Sequence, residues 1–554
     1  MTTPSDPRNP PNSLDAPTQP VSSYDDVTTI QQASTVAAPA AQASQPRRGV
    51  SRRAVVIGAA GAAVGIGALG AGAGYALSHL QPLGGGTSLG SSDAAKITHL
   101  LRRAGFGSSP AELETYLSLG VSGAMDRLLN YAHVSNDVDQ RLASLHLPFT
   151  TRANLVRWWL ARMTLTQRPF EEKMTLFWHG VLTSSYAKIG KSVNLPLMIQ
   201  QNNLLRSHAL GRFDDLMLAI STDPAMLYWL DGRYNTGAAP NENYSRELME
   251  LFTMGIGNYT QDDVHQGAKA LSGWVVRDGK GIFVPRRFYE GTITYLGQTG
   301  HLGLTDVIRL VCAHPSTPGR LARRMWSFFV YDNPSPSDLQ PLIDAYHQSN
   351  HLISAMVQAM FHSSAFFSEK AYRARVKSPT EFVVGTVRAV GLTPDVPALT
   401  IMGQASAAMG QTVFDPPNVA GWPGDGVSAS WMSTQAWLSR VNFVNLLLQG
   451  ATGALKGRRE GAASAAAAVA TSPLQQVIAA QKLSKPDDVV NYFVALLLDN
   501  QLTTDRRTML SAALTGEASA TGPTLALAGG AKLSAAALRQ ALYLLMAAPE
   551  YQMN

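Results

Sequence analysis

Carboxylates, amides and one guanidinium crowd into a short stretch of this chain: Asp231, Asn235, Asn241, Glu242, Arg246, Glu247 and Glu250. Acids beside a cation can orient a polar ligand. With an unpaired base, the same groups can activate water. Read as a helix at about 100° per residue from Asn241, the segment sorts into two faces. Tyr244, Leu248, Leu251 and Phe252 fall on one; Glu242, Asn243, Arg246, Glu247 and Glu250 cover the other. Glu242–Arg246 and Arg246–Glu250 both have the (i, i+4) spacing of helix ion pairs. A solvated face laced by such pairs is the plain alternative. Against it, Met226 to Leu230 lead in and Leu251 to Ile256 follow, both strongly apolar. Charges in such surroundings are expected to be partly buried and paired, with spare carboxylate for a ligand.

Histidines come next. His179 closes Leu176-Phe177-Trp178-His179-Gly180, and His208 follows Leu204-Leu205-Arg206-Ser207. Neither has a second His at metal-ligand spacing, so no metal site is expected, and a hydrogen-bonded core role competes with a functional one. His265, beside Asp262 and Asp263, reads as a solvated face. The run Phe414-Asp415-Pro416-Pro417-Asn418-Val419-Ala420-Gly421-Trp422-Pro423-Gly424 has little backbone freedom. Trp422, Trp431 and Trp437 offer faces for stacking on sugar rings, with Asp415 and Asn418 available to hydroxyls; the competing reading buries Trp422 in a loop clamped over the core. Gly255-Ile256-Gly257 does not follow a strand and open a helix, so it is no dinucleotide site. There is no Gly-x-Ser-x-Gly elbow, and the sequence leaves the cofactor unknown.

The elements that must position these groups are mainly α-helical. Ser109-Pro110-Ala111-Glu112 starts a helix, and residues 154–165, 339–346, 352–361, 379–390, 487–498 and 533–548 carry helical periodicity. Strand-like stretches at 274–276, 282–284 and 292–296 predict a small β-hairpin insert. The expected organisation is a disordered region over 1–50, a signal or anchor at 51–78, a Gly/Ser linker at 79–92 and a helical body at 93–554. Within that body, residues 451–475 form an Ala/Gly-rich loop.

Composition supports a large globular body: 45% apolar, 15% charged, net charge +6. Its charges are interspersed, which leaves no nucleic-acid footprint. A lone cysteine, Cys312, excludes an intrachain disulfide framework. Ser51-Arg52-Arg53 precedes 24 uncharged residues, 54–77, spanning about 36 Å as a helix. Arginines before this run and no Lys or Arg until Lys96 predict a twin-arginine-type export signal or membrane anchor, with the body outside the cytoplasmic membrane. Ala71-Gly72-Ala73 would serve for cleavage.

Several ordered segments together resemble a bacterial family known as domain of unknown function 1800 (DUF1800), from about His99 to Gln552. They include Leu100-Leu101-Arg102-Arg103-Ala104-Gly105-Phe106-Gly107, Glu172-Lys173-Met174 with Trp178-His179, and Asp223-Pro224-Ala225-Met226-Leu227. Asp231-Gly232, Asn235, residues 241–257, Lys377-Ser378-Pro379, residues 416–423 and Ala548-Pro549-Glu550-Tyr551-Gln552 complete the match. The resemblance implies a mostly helical exported protein, often encoded beside a second exported protein, and no established reaction. It also implies polar residues where this chain has Val181, Phe288 and Ile293, two histidines and a lysine in the family pattern. Any metal or acid–base function of those groups is expected to be lost here.

The expectation is therefore a cell-envelope binding module on an enzyme-like scaffold. Its polar pocket is framed by the Asp231–Glu250 group, with His179, His208 and Trp422 as further candidates. A hydrolase using Glu247 or Glu250 as general base, and a purely structural envelope component, are the alternatives.

Overall fold

A computed structural model of the chain describes residues 92–189, 192–451, 472–516 and 523–554. The region expected to be disordered, the signal or anchor, the linker up to residue 91 and residues 452–471 of the Ala/Gly-rich loop lie outside the described residues. Leu80–Asn554 forms one unit. Among the described residues no helix is long and apolar enough to cross a membrane.

Local signals set the helix starts. Glu112 accepts from the Ser109 N–H at 2.9 Å while the Ser109 hydroxyl caps the Glu112 N–H, and the helix Pro110–Ser118 follows. Ser378 and Glu381 open Pro379–Ala389 in the same way. The helices Arg152–Leu165, Pro336–Gln348, Ile353–Phe361, Pro486–Leu498 and Ala535–Ala547 lie where periodicity places them. Strands are confined to antiparallel hairpins. Trp274–Arg277 pairs with Lys280–Phe283, and Ile293–Tyr295 with Gln298–Gly300, as the insert predicts. A third hairpin, Thr524–Ala526 with Lys532–Ser534, is not anticipated, because three-residue strands carry too little alternation to be read.

The helix Pro169–Val181 runs through the middle of the core, and all thirteen of its residues are buried. It packs against Arg152–Leu165 and Pro196–Ser207, while Arg152–Leu165 packs in turn on Pro379–Ala389 and Val396–Ala408. Phe170 and Phe177 meet Phe328, Phe329 and Phe361 in tilted and edge-on contacts. This helix is buried all round yet carries charge, so its ions must be paired. Glu172 accepts from Arg162, Arg206 and the Trp159 indole. Lys173 pairs with Glu381 and also donates to the Gly105 carbonyl at 2.9 Å.

Candidate functional site

The helix that begins at Asn243 does not continue as an α-helix. Asn243–Glu247 is α-helical, and Leu248–Thr253 is a π-helix. Each wider turn holds an extra fraction of a residue, so the 100° arithmetic fails beyond Glu247. Glu242 pairs with Arg246 at 3.1 Å as its spacing predicts. Arg246 and Glu250 do not pair: Glu250 instead accepts from the Tyr259 hydroxyl at 2.6 Å.

The rest of the expected cluster divides into separate local roles. Asp231, in a left-handed conformation that Asp tolerates, pairs with Lys188 at 2.8 Å. Asn235 is buried and brackets the loop, donating to the Ala268 carbonyl and accepting from the Asn241 N–H. Asn241 caps the Asn243 N–H. Glu242 also accepts from Gln261 and meets His265 at 3.3 Å. Among the described residues Glu247 makes no side-chain hydrogen bond. It is half-buried, and its pKa is raised by burial and by Glu250, against Arg246.

His179 is a core acceptor. The Phe414 N–H donates to its Nε2 at 3.1 Å, which leaves the ring proton on Nδ1. Burial lowers its pKa to about 3, so it is neutral at physiological pH. Its ring lies 5.2 Å from Trp159 and 5.5 Å from Trp422. His208 ends the helix Pro196–Ser207, with Nδ1 on its own Leu204 carbonyl. Trp422 is buried with Trp431 and Val376, which selects the clamped loop over the exposed stacking surface. Asp415 and Asn418 bond within the same neighbourhood, to the Ser185 hydroxyl and the Ala420 N–H. Among the described residues no three His, Cys, Asp or Glu side chains converge as a metal site requires.

A different constellation lies against the other end of the π-helix. A cleft of about 390 Å³ is walled by Phe177, Val181, Leu251, Phe328 and Trp422, with Arg320, Arg323, Arg324 and Asp425 supplying its charge. The three arginines sit at i, i+3 and i+4 on the helix Ser316–Phe329, which places them on one side. The last carbonyls of a helix lack intrahelical partners. Here the Leu251 carbonyl accepts from Arg320 at 3.2 Å and Arg324 at 3.3 Å. Arg324 also donates to the Gly180 carbonyl at 3.2 Å, and Arg323 reaches the Pro334 carbonyl at 3.5 Å. Among the described residues none of the three forms an ion pair. Burial and the neighbouring Arg320 lower the Arg324 pKa to about 10.

Asp425 supplies the negative charge of this lining. Its carboxyl packs so tightly on Gly180 that a Cβ there would lie 2.5 Å from Oδ2. The loop carrying it is equally tight, since a Cβ on Gly424 would lie 2.2 Å from Cε2 of Trp431. Gly424→Ala is therefore expected to push Trp431 out of its packing, at a cost of about 1–3 kcal/mol. A lowered melting temperature with red-shifted tryptophan emission checks this.

Sequence reasoning missed Arg320, Arg323, Arg324 and Asp425. The (i, i+3, i+4) arginine spacing within 316–329 was a usable signal. Asp425, two residues past the Trp422-Pro423 corner, had none. Of the positions that depart from the family pattern, Val181 lines the cleft, Phe288 packs edge-on against Phe283, and Ile293 is buried in its hairpin.

A helical body with small hairpins, and a basic cleft closed by a Trp-Pro-Gly loop, defines the general class. The chain belongs to the family described as protein of unknown function DUF1800, whose model matches residues 99–553. Neither a curated protein nor a solved structure matches it.

Proposed function

We propose that this protein is an exported or membrane-anchored component of the cell envelope that acts as a binding module. It holds a polar ligand in the arginine-lined cleft beside Trp422. One observation carries the reading: three guanidinium groups face an open cleft, and among the described residues their hydrogen bonds go only to backbone carbonyls. Donors arranged in this way favour an acceptor-rich guest. The paired arginines ahead of residues 54–77 support export, and a second exported protein encoded nearby is the natural source of a guest.

Two measurements test this. Replacing Arg52 and Arg53 together by Lys should leave the protein in the cytoplasmic fraction; unchanged delivery to the envelope would overturn the export reading. Full-length protein should be stabilised against heat by millimolar sulfate or organic acids, and Arg320→Ala/Arg323→Ala should lose that response. An equal response in the variant would move the site elsewhere.

The hydrolase reading retains one supporting observation: among the described residues the Glu247 carboxyl makes no hydrogen bond, and its pKa is raised. It requires that Glu247→Gln abolish a measurable hydrolysis while leaving the stabilisation by anions intact.

A further inference from the structure

Resting on that reading of the cleft, we infer that its guest is an organic carboxylate with a small apolar body, held by the arginines and selected by a direct hydrogen bond with Asp425. The walls divide into two kinds. Arg320, Arg323 and Arg324 present guanidinium donors, the geometry that carboxylates match best. Phe177, Phe328, Leu251 and Trp422 present carbon, which a bare inorganic ion would leave unused. A volume of about 390 Å³ suits a small organic acid or the last residues of a peptide. Both sources share the chemistry of a carboxylate next to an apolar group.

Among the described residues Asp425 is the one acid lining this cleft, and its carboxyl has no hydrogen-bond partner there. It faces Arg324 from the arginine helix and Arg375 from the segment before Pro379. Lys173 faces it from the central helix, and Glu381 from Pro379–Ala389. Lys173 and Glu381 are already paired with each other, and Arg375 donates to the Phe328 carbonyl. Burial outweighs the nearby cations and raises the Asp425 carboxyl to about 7. In its acid form it can offer a proton to one oxygen of a bound carboxylate. Ionised, it would repel the same guest. Binding above pH 7 must then take up one proton.

The test is calorimetric titration of full-length protein across pH 6–9. The probes are 3-phenylpropionate, N-acetyl-Ala-Phe with a free carboxylate, the same peptide as its amide, and sulfate, whose charge is constant over this range. Expected are binding of the free acids, at least about tenfold weaker binding of the amide, and affinity falling about tenfold per pH unit above pH 7. Asp425→Asn, which keeps a neutral donor, should bind with a flat pH profile. Preference for the peptide over 3-phenylpropionate would assign a protein C-terminus as the source, and the reverse a free acid. Equal binding of acid and amide, or a flat wild-type profile matched by Asp425→Asn, would overturn the inference. Sulfate binding without any organic acid would also overturn it while leaving the cleft a polar-ligand site. No binding by any probe would overturn both.

Discussion

Glu172→Ala is expected to destabilise the protein by about 3–5 kcal/mol, because it strands buried cations without their counter-charge. Glu172 is fully buried. Its Oε1 accepts from Arg162 at 2.7 Å and Arg206 at 2.6 Å; its Oε2 accepts from Trp159 and Arg206, each at 3.0 Å. Burial alone would raise its pKa, but Arg206 and Arg162 outweigh that and hold it below the ordinary value. The two arginines differ in what remains after the substitution. Among the described residues Arg162 keeps the exposed Asp139, whereas the remaining side-chain hydrogen bonds of Arg206 go to the neutral amides of Asn202 and Asn203. The loss should therefore fall chiefly on the contact between Pro196–Ser207 and the central helix. Urea denaturation gives the magnitude. Hydrogen exchange should show Pro196–Ser207 opening first, and uniform loss of protection would refute that localisation.

Asp499→Asn is the second large effect, expected to cost about 2–4 kcal/mol at pH 7. Asp499 ends the helix Pro486–Leu498 in a left-handed conformation, which Asn adopts as readily, so the substitution isolates the charge. The carboxylate meets Arg102 at 2.5 Å, Arg373 at 3.0 Å and the Tyr372 hydroxyl at 2.8 Å. These partners overcome burial and hold its pKa well below the usual carboxylate range. Glu381, pinned by Lys173 and Arg375 against the cost of burial, is lowered to about 2. A depressed folded-state pKa contributes stability that is fully present above the unfolded value and is lost as pH falls towards the folded one. Wild-type stability should accordingly be level with respect to these groups above about pH 5 and fall steeply from there towards pH 2. The gap between wild type and Asp499→Asn should narrow over the same range. A gap that stays constant down to pH 2 would mean that Asp499 is not held ionised by its arginines.

The helical class was legible because amphipathic periodicity and caps act locally. Ser109-Pro110-Ala111-Glu112 needs nothing beyond its own residues to start a helix, and Trp158, Trp159 and Met163 mark their buried side by spacing alone. The central helix was legible as apolar and aromatic, but not as buried on every side. The partners of Glu172 and Lys173 come from positions as distant as Arg206 and Glu381. Within the Asp231–Glu250 group the Glu242–Arg246 pair follows from its spacing, while the expected Arg246–Glu250 pair does not form. The group's convergence on one pocket was not borne out by the geometry, since Asn235 and Asp231 serve the loop and Glu250 serves Tyr259. The cleft is assembled from the ends of Pro169–Val181 and Leu248–Thr253, the side of Ser316–Phe329 and the corner at Trp422. Proximity among four separated segments is a product of tertiary packing, and no spacing in the chain records it.

The wide turn at Leu248–Thr253 works as a vernier. Upstream of it, Glu242 and Arg246 keep the phase of a regular helix and lock to Gln261. Downstream, the chain arrives rotated and Leu251 turns its carbonyl to two arginines. One surplus residue lets each half meet its own neighbours without compromise. Removing a residue such as Met249 would retune the helix to its ordinary pitch, preserve every charge in the sequence, and still unclasp the arginines.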